Sequence, residues 1–448
     1  MEPRILERAE HPVSRRDIDA NVLKVLYRLI GAGHVACIVG GGVRDLMLSR
    51  KPKDFDIATS AHPQQVRDLF RNSRLIGRRF RLVHVFFGRQ NIEVATFRRR
   101  SEDVAEGEDV MIRLDNTFGS PEEDAFRRDF TVNALFYDPQ SFRVIDFPGG
   151  VDDLHSRLIR TIGEPELRMR EDPVRMMRAV RFAAKLGFEI EPATRAAIER
   201  HRADLSKASV PRVVEETYRT LSQPEAARAL VLMAELGLLE AVLPMLSAHL
   251  NCSESPLSAQ PTIRNMAALG KRIEGGYAPE HSILLAALML DLRRVTDGAG
   301  LLADLRARGY ARGDTEQMRL ILDAFELLAA PSRRTRRLMR RPYFGEALQF
   351  FEMIAPAYGI DEAATHRFLA TPPGGASLPP AALPPPSEGT EPAPAGEPRR
   401  RRRRRRRGGR GHRRRTTEGH PSSASSDSPA AGHTHHHNGA GSHDPHRS

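Results

Sequence analysis

Two aspartates stand one residue apart in Lys53-Asp-Phe-Asp-Ile57. In a strand, residues two apart share a face. Asp54 and Asp56 then present two carboxylates side by side, with Phe55 and Ile57 turned the other way. Paired carboxylates suit a divalent cation, and such a cation beside a phosphate cradle serves a nucleoside triphosphate. A cradle of that kind lies just upstream in Ile38-Val-Gly-Gly-Gly-Val-Arg-Asp45. Gly40, Gly41 and Gly42 let the backbone turn sharply and come close to a ligand. The helix that begins at them offers free amides to a phosphate, and Arg44 adds a cation just past the turn. The plainer alternative is a tight turn with two solvated acids on an edge strand. The spacing from Gly41 to Asp54, the shared polar face and Arg44 weigh against it.

These side chains need a frame, and the apolar pattern supplies one. Val35 to Val39 is a short, β-branched run that suits a buried strand, and Val43 to Leu48 has helical spacing. Before them, Ser14 is placed to cap a helix to about Ile30, with Gly31 and Gly33 as its stop. After them, Thr59 or Ser60 is placed to cap a helix through Phe70 with Pro63 in its first turn. Leu75 to Phe80 reads as a strand. Leu82 to Phe87 and Ile92 to Phe97 read as a hairpin across Gly88–Asn91. Glu93 lies on the polar side of that hairpin and faces the aspartate pocket if the hairpin neighbours the Asp54 strand. Arg98 to Asn116 is charged, without apolar periodicity, and reads as a loop. Asp124 to Tyr137 allows a helix in its first part, and Val144 to Phe147 is a short strand. Strands mixed with helices over 1–150 indicate an α+β domain built on a mixed sheet.

Past Gly150 the strand signal fades into helices. Asp172 is placed to cap the helix Pro173 to Leu186, which Gly187 ends. Arg175, Arg178 and Arg181 recur at every third position along it, facing phosphates or forming a solvated face. Eight more helical runs follow, from Ala193 to Ala357, so the expected order is a neck at 151–210 and a helical body at 211–370. His281 and Asp291 lie ten residues apart on one helix without a His-Asp doublet, so no metal site is expected there. From 371 to the end the chain is rich in Pro, Ala, Gly and Ser, with nine consecutive arginines, Arg399 to Arg407. That composition cannot bury a core and is expected to be disordered.

The bulk numbers limit the function classes. The 448 residues carry a net charge of +12. The tail holds 14 arginines against six acids, which is most of that excess. A basic tail on a moderately basic body points to a polyanion, nucleic acid first. The arginine run should bind phosphates without sequence choice and release them as salt rises. Cys37 and Cys252 form neither a metal pattern nor a disulfide framework, so a reducing cytoplasm is expected. The charged N-terminus has no apolar signal region, and no apolar run is long enough to span a membrane. The histidines from His433 to His437 are given no role.

Several segments together carry a family resemblance. Ile38-Val-Gly-Gly-Gly-Val-Arg-Asp45 with Lys53-Asp-Phe-Asp-Ile-Ala-Thr59 resembles the signature of the bacterial tRNA nucleotidyltransferase/poly(A) polymerase family. The likeness continues in Ile92-Glu-Val-Ala-Thr-Phe-Arg98, in Arg127-Arg-Asp-Phe-Thr-Val-Asn-Ala-Leu135, and in Arg170-Glu-Asp-Pro-Val-Arg-Met-Met-Arg-Ala-Val-Arg-Phe182. The motifs keep the family's order over roughly Val35 to Phe188. The helical body matches in character only, and the tail not at all. Leu75 to Val85 is similar to a segment that marks the poly(A) branch, although the residues alone read equally as a basic strand pair with a satisfied histidine.

The resemblance implies a nucleotidyltransferase head over 1–150, with Asp54 and Asp56 holding Mg²⁺ and Glu93 as a further carboxylate near the metal. Gly41, Gly42 and Arg44 would hold the triphosphate of ATP. Asp129 would join the catalytic site, or else form a salt bridge with Arg127 or Arg128. Asp172 and Arg175 would read the base edge, with Arg178 beside them, and Asp172 serves equally as a helix cap. The implied activity is template-independent addition of adenylate to RNA 3′ ends, in RNA processing and turnover. Rival readings are a CCA-adding tRNA enzyme and a non-catalytic RNA-binding adaptor. The tail is a place where RNA-decay proteins would dock.

Overall fold

The computed structural model describes residues 2–77, 81–99 and 118–371. The Arg98–Asn116 loop, apart from its first two residues, lies outside that range. So do three positions of the Leu75–Val85 segment and the tail after Thr371.

The short apolar runs form an eight-stranded mixed sheet in the order β1-β8-β7-β2-β3-β6-β5-β4. Its strands are β1 (Arg4–Leu6), β2 (Ala36–Val39), β3 (Asp56–Thr59), β4 (Ser73–Ile76), β5 (Leu82–Phe87), β6 (Gln90–Thr96), β7 (Leu135–Asp138) and β8 (Arg143–Asp146). Only the β3–β6 pair is parallel; the others are antiparallel. The period of two sorts the side chains between two cores. Ile38, Ile57, Val83 and Val94 join the larger one, with Val22, Val25, Leu26 and Leu29 of α1 (Ala20–Gly31). Cys37, Val39, Ala58 and Phe136 join a smaller one on the other face.

Local chemistry moved several boundaries. The side chain of Ser14 accepts from Arg16 N over a single 3-10 turn, whereas Asp19 accepts from Asn21 N and caps α1. α3 (Pro63–Leu69) starts after His62 rather than at Thr59 or Ser60. A residue before proline favours extended backbone, so the helix begins no earlier than Pro63. β7 was hidden in the Asp124–Tyr137 stretch. It lies between β2 and β8, and Leu135, Phe136 and Tyr137 are all buried. A strand covered on both faces shows no alternation to read.

The second half is helical, with one two-residue parallel pair, Leu158–Ile159 with Glu189–Ile190. The helix Val174–Leu186 ends at Gly187, whose φ is +74°. The helix His281–Val295 is buried on every side from Ser282 to Leu290. It forms the centre of the helical region, as an all-round apolar helix must. Six short helices of the described second half were not anticipated: Gly150–Ser156, Pro165–Glu171, Leu238–Val242, Pro244–Asn251, Arg333–Leu338 and Glu362–Ala370. No described helix is long and apolar enough to cross a membrane.

Candidate active site

The glycine turn joins β2 to α2 (Gly41–Met47), which starts at the glycines as the spacing indicates. Gly40 has φ +72°, and a Cβ there would stand 3.0 Å from Arg128 Nη1. A Cβ on Gly42 would stand 3.2 Å from Phe55 Cδ1 and 3.4 Å from the Asp54 carbonyl oxygen. The turn therefore packs directly on the segment that carries the aspartates.

Asp56 opens β3, opposite Val39 on one side and Glu93 on the other. Asp54 precedes the strand, which corrects the expectation that both acids share a ladder. β2 ends at Val39, and Gly40 then turns away, so residue 54 has no partner on the β2 side. Ile57 and Phe55 do face the larger core, which leaves Asp56 and Glu93 on the opposite side. Solvent reaches Asp56, yet the protein packed around it raises its carboxyl pKa. The charges of Glu93 and Asp54 raise it further, and Arg128 opposes them. Glu93 also faces His84 across β5, at 3.3 Å from Nε2. A cavity of about 700 Å³ opens at this end of the sheet, toward the start of α1, lined by the acids Asp17, Asp19, Asp54, Asp56 and Glu93 and by the cationic Arg16, Lys51 and Lys53; the glycine turn, Asp172 and Arg175 lie outside its lining. Among the described residues, no group of three or more His, Cys, Asp or Glu side chains is already gathered as a metal site. The acids fit a cation as an open, mutually repelling set rather than a closed cage.

Arg44 is buried, and its guanidinium turns to neighbouring side chains. Its Nε and Nη2 donate to Asp45 Oδ1, and its Nη1 donates to Asn133 Oδ1 at 2.5 Å. It braces the turn from beneath. The cation that faces both Gly40 and Asp56 is Arg128. It is anchored by Asp124, which also binds Arg127. Asp124 is buried, and the two guanidinium groups hold its carboxyl below the ordinary range despite that burial. Sequence reading missed this acid, although its spacing of three and four residues to the two arginines is the usual helical pairing distance.

Asp129 pairs with neither of those arginines. Arg178 donates to its Oδ2 from Nε at 2.8 Å and from Nη2 at 2.5 Å. The Phe130 amide and Asn133 Nδ2 donate to its Oδ1 at 2.8 and 3.2 Å. A carboxylate has about four lone-pair sites, and all are taken. The carboxyl lies below its usual pKa: burial opposes the charged form, but Arg178 and these bonds outweigh it. In this structure the Asp129 carboxylate serves as the bridge to the helix Val174–Leu186.

Pro173, not Asp172, takes the cap position of the helix; Asp172 lies one residue earlier, where it accepts from Val174 N at 3.3 Å, and its other oxygen accepts from Arg212 at 2.7 Å. Arg175 donates from Nη1 to Arg168 O and to Glu171. Its neighbour charges include Asp172 and Asp129, and burial lowers its pKa. Arg181 is held by the buried Glu216 at 2.5 Å. Arg178 and Arg181 thus bind specific acids and are not a solvated face. Arg44, Arg178 and Arg181 also surround the Phe182 ring, at 5.4, 5.4 and 4.4 Å from its centroid. His281 pairs with Asp314 and Asp291 with His249, so the two form no common site.

A family model described as "Poly A polymerase head domain" matches residues 36–160, and one described as "Probable RNA and SrmB- binding site of polymerase A" matches residues 187–250. Poly(A) polymerase I of Escherichia coli is 50% identical over 252 residues, 55% of this chain and 54% of that protein. The chain thus spans about half the length of that curated relative. Poly(A) polymerase I of Haemophilus influenzae is 38% identical over 344 residues, 74% of this chain and 75% of that one. The solved structure of the Bacillus stearothermophilus CCA-adding enzyme in complex with CTP superposes with a TM-score of 0.58 at 33% identity, covering 78% of this chain and 80% of that one.

Proposed function

The chain belongs to the nucleotidyltransferase family of poly(A) polymerases and CCA-adding enzymes, and from that premise we propose that it adds adenylate to RNA 3′ ends without a template. The observation that carries this reading is the Haemophilus poly(A) polymerase I match, which runs over three quarters of both chains. The primer 3′-hydroxyl attacks the α-phosphorus of ATP. A new O–P bond forms, the bond to pyrophosphate breaks, and the hydroxyl proton is lost.

Asp54 and Asp56 are the residues to hold Mg²⁺, with Glu93 adding negative charge from the neighbouring strand. When bound, the metal supplies charge neutralisation at the triphosphate and acidifies the hydroxyl. The chain's own groups do the rest. The Gly40–Gly42 turn accepts the triphosphate against its backbone, and Arg128 offers the nearby cation. Arg44 fixes the turn. Asp172 accepts from the adenine amino group, and Arg175 donates to a ring nitrogen. Asp129 positions Arg178, and with it the base-reading helix. The head is 1–150, the neck 151–210, and the body at 211–370 takes RNA. The tail at 371–448 adds affinity for RNA and a docking place for RNA-decay proteins. Two free thiols, with Cys37 buried and pushed up to about 12, fit the reducing cytoplasm.

The second reading is CCA addition, favoured by the likeness to the CTP-bound Bacillus enzyme. Incubation of a generic RNA, and of tRNA lacking its CCA end, with each single NTP separates the two. Repeated addition from ATP alone supports polyadenylation; C, C, A and then arrest on tRNA sinks it. No addition to either RNA would leave the adaptor reading.

A further inference from the structure

Arg333, Arg334, Arg336, Arg337, Arg340 and Arg341 crowd six guanidinium groups into nine residues. All but Arg336 are exposed, and among the described residues none of the six has an acidic partner within ion-pair distance. Other arginines of the same helical region behave differently: Arg294 pairs with Glu326, Arg306 with Glu316, Arg308 with Asp304 and Arg319 with Glu316.

The cluster also works against its own local structure. Arg333 and Arg334 open the helix Arg333–Leu338, at the end where the macrodipole disfavours cations. Arg333 with Arg337 and Arg336 with Arg340 set like charges four residues apart, which opposes a helix. Ser332, whose side chain accepts from Arg334 N, and buried Thr335 and Leu338 hold the turn in place regardless. Local rules broken without an internal compensation mark a place where a ligand supplies it.

A groove of about 510 Å³ runs along the cluster, with Arg336, Arg337 and Arg340 on one side, Leu369 on the other, and no acid in its lining. Met339 is 42% exposed there, and Arg336 lies over the Phe368 ring at 5.0 Å. Phosphate-binding cations beside apolar surface suit single-stranded RNA, whose backbone and splayed bases need both. We propose that this groove binds single-stranded RNA, through its phosphates, at nucleotides upstream of the 3′ end. The groove shares no residue with the Asp54–Asp56 cavity, so the terminal nucleotide and the groove-bound nucleotides are different parts of one strand. The chain's own Arg399–Arg407 run is excluded as occupant by like charge. This inference rests on RNA being the substrate.

The test uses the full chain and a 20-nucleotide oligo(A), with no ATP or metal, so that it scores binding apart from adenylate transfer. Phenylglyoxal modification of the 333–341 peptide, read by mass spectrometry, should fall at least threefold when RNA is bound. In the variant Arg337→Gln/Arg340→Gln/Arg341→Gln, the slope of log K against log salt should shrink by about 2, at about 0.7 per single-strand phosphate contact. Equal modification with and without RNA, an unchanged slope, or protection by polyglutamate but not RNA would overturn the assignment. If the variant misfolds, protection in the unmodified chain still decides.

Discussion

Asp129→Asn separates a positioning acid from a catalytic one. The carboxylate accepts four hydrogen bonds, two of them from Arg178 on the helix Val174–Leu186. Its side chain is 11% exposed, and that of Arg178 is 29% exposed. Removing one partner of a buried ion pair costs about 3–5 kcal/mol. Arg178 is open enough to recover some hydration, so about 2–3 kcal/mol is the reasonable figure, a fall of roughly 3–4 °C in unfolding midpoint for a unit of this size. Arg178→Gln should cost a similar amount, and the double variant little more, because both remove one interaction. A coupling energy of about 2 kcal/mol is expected.

Single-turnover adenylate transfer then gives the mechanism. If Asp129 acts through Arg178, both single variants slow transfer alike and the Mg²⁺ half-saturation stays put. A tenfold shift in that half-saturation for Asp129→Asn, with none for Arg178→Gln, would refute the positioning role. The pH dependence has a defined sign. The folded pKa is depressed, so the pair's stabilisation is complete above the unfolded value of about 3.9 and is lost as pH falls through the lower folded value. The gap in midpoint between Asp129→Asn and the unmodified chain should therefore be wide at neutral pH and close only in strong acid.

Asp56 carries the opposite sign. Its pKa is raised in the fold, so its stabilising contribution is lost as pH rises, and Asp56→Asn should raise the metal-free unfolding midpoint at pH 7 while abolishing transfer. Mg²⁺ at a hundred times its Kd should stabilise the unmodified chain by about 2.7 kcal/mol and leave Asp54→Asn/Asp56→Asn unmoved; differential scanning fluorimetry reads both. Gly42→Ala pushes a methyl against Phe55 and the Asp54 carbonyl, and should cost about 1–2 kcal/mol of stability but at least tenfold in turnover, because the aspartates move. Arg175→Ala should narrow the ATP-over-GTP preference by about 1–3 kcal/mol, the cost of an unmade hydrogen bond, as read from kcat/KM for the two nucleotides.

The sequence disclosed the corner better than what holds it. Gly40–Gly42 and the Asp56 strand were legible because turn chemistry and period-two alternation are local signals. Glu93 was placed opposite the aspartates by the same alternation, and the β3–β6 register bears it out. The absence of a strand at Asp54 was not legible, since it depends on where β2 stops. β7 was lost because burial on both faces erases alternation. The partners of Arg44 and Asp129 were not legible, for one shared reason. Sequence shows that a charged side chain sits near a motif, but not which long-range partner takes it up: Asn133 lies 89 residues from Arg44, and Arg178 lies 49 from Asp129.

Those two residues are joined. Arg44 Nη1 donates to Asn133 Oδ1, Asn133 Nδ2 donates to Asp129 Oδ1, and Arg178 donates to Asp129 Oδ2. A continuous polar chain thus runs from the glycine turn to the helix Val174–Leu186, with Phe182 packed beneath three of its guanidinium neighbours. Arg181 pairs with Glu216 on the helix Val210–Leu221. On the proposed function the two ends of a bound nucleotide meet different elements: the triphosphate the turn, and the base Asp172 and Arg175. In-line transfer needs the reacting atoms held to within a fraction of an ångström, so the turn and the helix must share one frame. The chain through Asn133 supplies it. Asn133→Ala breaks the chain at its middle without removing a charge or a phosphate contact. It should therefore lower the rate of transfer at saturating ATP more than it weakens ATP binding. A variant that binds ATP tenfold more weakly but transfers at the unmodified rate would show that the turn and the helix act independently.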